Sequence, residues 1–150
     1  VKIEVIPIRG GSKAVVAKLR KITRKIKNPS KANREVSIWL MRWVNRNFKT
    51  EGGKVGSWLP FKHGGRVGAG GIDKSAKLLR DTGRLQKSFS PFYSRTEAGI
   101  GTDLPYALTH ELGKLSKNVP VRRMLPLASD RLVTDGILKI YDRWLERAIR

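Results

Sequence analysis

His110 and Glu111, adjacent in "LTHELG", are residue types that can hold and activate a catalytic zinc ion. A zinc-binding helix of that kind needs a second histidine four residues on, one turn along the same face, and position 114 is lysine. His110 therefore reads as a hydrogen-bonding residue, buried or interfacial, one helical turn from Tyr106. The glycines from Gly65 to Gly70 in "GGRVGAGG" imitate a phosphate-cradling loop but lack its Gly-Lys-Ser/Thr ending and follow no convincing strand. Asp81, Asp103, Glu111, Asp130 and Asp142 fall on different elements, with no shared setting to push two pKa values apart for acid and base work. Ser88, Ser90 and Ser94 lack a nucleophile-elbow context. Without cysteine there is no thiolate metal site and no disulfide, which suits a reducing cytoplasm. The expectation is a chain with no catalytic residues, no metal and no cofactor.

The elements that carry these residues follow from periodicity and punctuation. Val1 to Ile8 alternates apolar and polar residues and reads as a strand that Pro7 marks as an edge or an end, stopped by Gly10-Gly11. Ser12 caps a basic amphipathic helix over Lys13 to Lys27, with Val15, Leu19, Ile22 and Ile26 as its stripe. Asn28-Pro29 ends it, and Ser30 caps a second helix with Val36, Leu40, Trp43 and Val44 to one side and Trp39 and Phe48 nearby. Thr50 to Ile72 is a long glycine-rich loop in which Trp58 and Phe61 are apolar anchors. A short helix over Lys74 to Arg80 is expected, ending near Thr82-Gly83. A hairpin follows, with strands over residues 85–93 and 96–102. Asp103 and Pro105 open a helix that Gly113 closes, and Ser129 or Asp130 caps a final helix facing inward with Val133, Ile137, Ile140, Trp144 and Ala148.

The fold so predicted is α+β, a single domain over 1–150. A small antiparallel sheet from residues 1–8, 85–93 and 96–102 is packed by the two N-terminal helices and the C-terminal helix. A flexible glycine-rich loop runs over about 50–72. A domain of this length buries about 70% of its unfolded surface, so a core forms without staples. Apolar runs are four residues or fewer, against the roughly 20 needed to cross a bilayer. No secretory leader opens the sequence, so the expectation is a soluble protein with no membrane partner.

Net charge is +20, and residues 1–50 supply +12 of it from 14 basic and 2 acidic residues. The field is therefore strongest over Lys13, Lys18, Arg20, Lys21, Arg24 and Lys25, which read as a partner-facing surface. Such a surface attracts genomic DNA non-specifically as well as an acidic protein face. No helix-turn-helix, zinc finger or stacking platform accompanies it, and the tryptophans sit at core spacing.

Three segments follow one another in fixed order with short spacers: "LLRDTGRLQKSF", "GIGTDLPYALTHELG" and "PVRRMLPLA". They resemble the TGxLxxS, GTxxxYAxxHExG and PxRxF/ML segments of the virion morphogenesis or tail completion family of long-tailed bacteriophages, the Mu-type proteins. "FKTEGG" and "WLPFK" sit where that family has an EGxP…WxPL stretch. The resemblance implies that Thr82, Gly83, Tyr106, His110, Gly113, Pro120 and Arg122 serve packing, while Trp58, Phe61 and Arg66 read as the contacts of the glycine-rich loop. It further implies a structural virion protein at the neck, assembled in the host cytoplasm: a homohexameric ring joining the head-side connector or adaptor to the tail terminator or tail tube. A tail terminator or other neck protein, a basic DNA-packaging protein, and a hydrolase built on His110 and Glu111 are the alternative readings. The chain departs from the family in a longer glycine-rich loop and in Met124 where phenylalanine is common.

Overall fold

A computed structural model describes residues 13–127 and 129–150. The strand expected over residues 1–8, the Ser12 cap and the side chains of Val15 and Lys25 lie outside the described residues. The elements run α1 (Lys13–Ile26), α2 (Ser30–Lys49), β1 (Arg66–Gly68), β2 (Gly71–Asp73), α3 (Arg84–Ser88), β3 (Ser90–Tyr93), β4 (Ala98–Gly101), α4 (Pro105–Leu112), a 3₁₀ turn (Leu115–Lys117) and α5 (Arg131–Ile149). The class is α+β, in agreement with the sequence. The described strands form two antiparallel pairs, β1 with β2 and β3 with β4.

The 20-residue α2 is the axis of the molecule. Its apolar residues recur every three or four positions, so Val36, Leu40, Trp43, Val44 and Phe48 share one side and are all buried. Leu85, Phe89, Met124, Val133 and Ile140 close over them from other parts of the chain. Burying a side chain of this size contributes about 1.5–3 kcal/mol, so this seam dominates the stability. The β3–β4 hairpin and α5 both pack on α2, whereas α1 packs on α5. The first helix thus lies against the last, and the hairpin is carried by α2.

Close approach fixes Gly136 in the second turn of α5. A Cβ there would collide with the half-buried indole of Trp39. Glycine inside a helix costs about 1 kcal/mol relative to alanine, and the α2–α5 contact offsets it. At the hairpin turn, buried Asn33 donates from Nδ2 to the Ser94 carbonyl at 2.9 Å and accepts from the Tyr141 hydroxyl, which ties α2, the hairpin and α5 together.

Several local expectations change. Residues 84–88 are helical, and the strand begins at Ser90. A strand would place Leu85, Lys87 and Phe89 on one face; a helix turns Leu85 and Phe89 inward, four apart, and leaves Lys87 exposed. No helix forms over 74–80, and Leu79 there adopts φ 56°, outside the helical region. The glycine-rich stretch is not one open loop. It begins with a tight turn after α2 and contains the β1–β2 hairpin. Pro29, not Ser30, holds the N-cap position of α2, with Asn28 Oδ1 accepting from the Ser30 N–H and hydroxyl. Leu104, not Asp103, precedes α4, and Thr102 Oγ1 accepts from its N–H at 3.2 Å. Asp130 caps α5 through the Leu132 N–H at 2.9 Å.

Candidate assembly site

The C-terminal end of α2 gathers the segments singled out in the sequence. Glu51 (φ 50°) and Gly52 (φ 92°) terminate the helix with positive φ, and the Gly52 N–H returns to the Asn47 carbonyl at 2.9 Å. A side chain at Gly52 would strike the Trp58 indole, so glycine is required both for its φ and for its space. Trp58 is buried edge-on against Phe48, with ring centroids 5.4 Å apart. Its indole N–H donates to the Arg123 carbonyl at 2.8 Å. Phe61 is half-buried against the same core, and Arg66 pairs with Asp81 on the exposed surface.

The segment from Pro120 to Leu125 is held on three sides. Asn47, fully buried, donates from Nδ2 to the carbonyls of Arg123 (3.0 Å) and Met124 (3.4 Å) and accepts from the Lys54 N–H (3.2 Å). Arg122 donates from Nε (3.3 Å) and Nη2 (3.1 Å) to the Leu59 carbonyl, and its N–H donates to the His110 carbonyl at 2.7 Å. The Glu111 carboxylate accepts from the N–H groups of Met124 (2.6 Å) and Leu125 (3.3 Å). Glu111 is thus a clamp on the backbone, through its Oε2. Gly113 turns the chain with φ 75° directly against Val121, and Pro120 is half-buried behind it.

These fastenings invert the usual orientation of α4. Ala107 is its buried residue and Glu111 reaches inward, while Leu108 and Leu112, one turn apart, are 64% and 67% exposed. Leu115 in the following turn is 98% exposed, and Tyr106 and Val121 are also exposed. The helix thus puts its two leucines in water and turns its glutamate against the protein.

His110 lies edge-on to Tyr106 at 6.4 Å, and its Nδ1 is buried with no hydrogen-bond partner among the described residues. The expected hydrogen-bonding role of this side chain is therefore not seen at Nδ1; the residue bonds through its carbonyl. Burial, and then the positive charge of Arg122, hold the imidazole below its ordinary pKa of 6.5. Because the folded state resists the proton that the unfolded chain accepts, this stability is present above pH 6.5 and is lost as pH falls through the lowered value. The thermal midpoint of the parent is expected to drop more steeply on acidification below pH 6.5 than that of His110→Gln. Parallel profiles would show that His110 makes no such contribution.

The remaining candidates lie elsewhere. Lys13, Lys18, Arg20, Lys21 and Arg24 are exposed on α1, away from the motif segments, and α1 rests on α5. Thr82 accepts from the Arg84 N–H, and Gly83 (φ 73°) precedes α3. Sequence reasoning missed Asn47, Asn33 and Glu51, whose Oε1 accepts from the Leu78 N–H at 3.0 Å. The signal for the two asparagines was present: polar residues at positions 33 and 47, in step with the apolar stripe of α2. Among the described residues no group of three or more His, Cys, Asp or Glu could hold a metal ion, and no helix is long and apolar enough to cross a membrane.

The chain is thus an α+β fold whose motif segments are fastened together at the end of α2. It belongs to the phage virion morphogenesis family, whose family model matches residues 12–145. It is accordingly a bacteriophage structural protein of virion assembly. Comparison with curated proteins and with solved structures gives no match.

Proposed function

We propose that the chain is a tail completion subunit at the head–tail junction, whose copies close into a ring between the head-side connector and the tail. Self-association runs through the outer face of α4 and the turn after it, and the cationic α1 is left for a different molecule. The observation that supports this reading is the outward set Leu108, Leu112 and Leu115. Removing such side chains from water between copies is favourable at about 25 cal/mol per Å², and the scaffold beneath them is cross-braced by Asn47, Trp58 and Glu111. Placing copies α1 to α1 would instead oppose like charges.

The test is the double variant Leu112→Glu with Leu115→Glu. Both side chains lie in solvent, so stability is expected to stay within about 0.5 kcal/mol of the parent. In a complementation assay scored by electron microscopy, the variant is expected to yield separated heads and tails. Normal particle yield from the folded variant would contradict the reading. Loss of DNA binding with assembly intact would favour the basic DNA-packaging alternative.

A further inference from the structure

Three helix faces meet at the end of the molecule where α1 crosses α5. Ala17, Lys21 and Arg24 recur at helical spacing along α1, Asn28 lies in the link after it, Lys31 and Glu35 come from the first turns of α2, and Trp144, Arg147 and Ala148 come from the last turns of α5. Together they line an open groove of about 870 Å³. A second recess of about 360 Å³ shares Ala17, Lys21 and Ala148 with it and extends the seam past Ile22 and Ile149. The half-buried Trp144 indole, Ala17 and Ala148 make the apolar floor of the groove, and Ile149, which lines the adjoining recess, is 59% exposed. The rim is cationic: four basic residues against the single acid Glu35, which Arg147 engages at 3.3 Å. Among the described residues no ion pair engages Lys21, Arg24 or Lys31.

We propose that this groove receives an acidic amphipathic helix of a different protein, its apolar face on Trp144 and Ala17 and its carboxylates on Lys21, Arg24 and Lys31. Both halves of the site argue for that occupant. A helix laid between two helices fits as a ridge into a groove, and helix-in-groove recognition reads an apolar stripe at just this spacing. The rim cations Lys21, Arg24 and Lys31 supply complementary charge, which favours an acidic partner and disfavours a second copy of this +20 chain. A nucleic-acid backbone satisfies the rim but not the floor. Phosphates need donors or water beneath them, and an apolar floor would desolvate them without compensation. The groove is distinct from the α4 face, and its assignment stands apart from the neck placement, since the purified chain suffices to test it.

The experiment measures fluorescence anisotropy of three labelled probes on the intact protein. The first is an amphipathic peptide with leucines on one helical face and glutamates on the other. The second is a scrambled peptide of the same composition, and the third is a DNA duplex. The amphipathic peptide is expected to bind at least about tenfold tighter than the scrambled one, the factor that 1.4 kcal/mol of floor contact gives. Lys21→Glu with Arg24→Glu, both exposed positions, is expected to weaken it by at least about tenfold. Binding is expected to shift tryptophan emission to shorter wavelength, and Trp144→Phe is expected to remove that shift while retaining binding. Equal affinity for the two peptides, displacement of the peptide by the duplex, or unchanged binding by the charge-reversed variant with a parental circular-dichroism spectrum would each overturn the proposal.

Discussion

Trp58→Ala is expected to lower the unfolding free energy by about 3–5 kcal/mol, a large fraction of the total for a chain of this size. The indole is 5% exposed, packs edge-on against the fully buried Phe48 and covers the glycine turn that ends α2. Its removal leaves a cavity beside Phe48 and withdraws one of the two donors to the Arg123 carbonyl. Trp58→Phe separates the two contributions. The ring remains while the N–H is lost, so the cost is expected to fall to about 1 kcal/mol. Urea denaturation measures both, provided the slope with denaturant is unchanged. A Trp58→Ala protein that unfolds within about 1 kcal/mol of the parent would mean that the indole is not a core anchor.

Asn47→Ala is expected to cost about 2–4 kcal/mol although the residue is polar and carries no charge. Its amide is fully buried and serves the Lys54 N–H and the carbonyls of Arg123 and Met124, three groups that lose a partner together. The Arg123 carbonyl keeps the Trp58 indole N–H, whereas the Met124 carbonyl and the Lys54 N–H lose their Asn47 bonds, and unpairing such groups is costlier than the net worth of the bonds themselves. Because Asn47 and Trp58 share the Arg123 carbonyl, their effects are not expected to add. A double-mutant cycle is expected to return a coupling of about 0.5–3 kcal/mol. Strict additivity would show that Asn47 and Trp58 do not act on the Arg123 carbonyl as a unit.

The apolar stripes of α2 and α5 were legible because a period of three to four residues admits one helical reading over 19 or 20 residues. The hairpin was legible at Ser94-Arg95, and α4 between Pro105 and Gly113, because the turn chemistry is local. The α3 segment was not, since Leu85, Lys87 and Phe89 satisfy both periods and the core contact alone decides between them. Glu111 was read beside His110, its neighbour in sequence, whereas its partners are the backbone N–H groups of Met124 and Leu125 across a turn. Nor did the sequence show that α4 faces outward. That orientation follows from what the chain fastens beneath the helix, a long-range property with no local signature. The cationic face of α1 was visible as a periodic pattern, but its apolar floor comes from α5 and needed the fold.

The central claim is that copies of this chain meet through α4 at the neck of the particle. Cryo-electron microscopy of intact virions, with classification focused on the neck, tests it most directly. The account predicts a ring at the head–tail junction into which the chain fits with Leu108, Leu112 and Leu115 buried between neighbouring copies. A chain found elsewhere in the particle, or a neck ring in which those leucines face solvent, would contradict it.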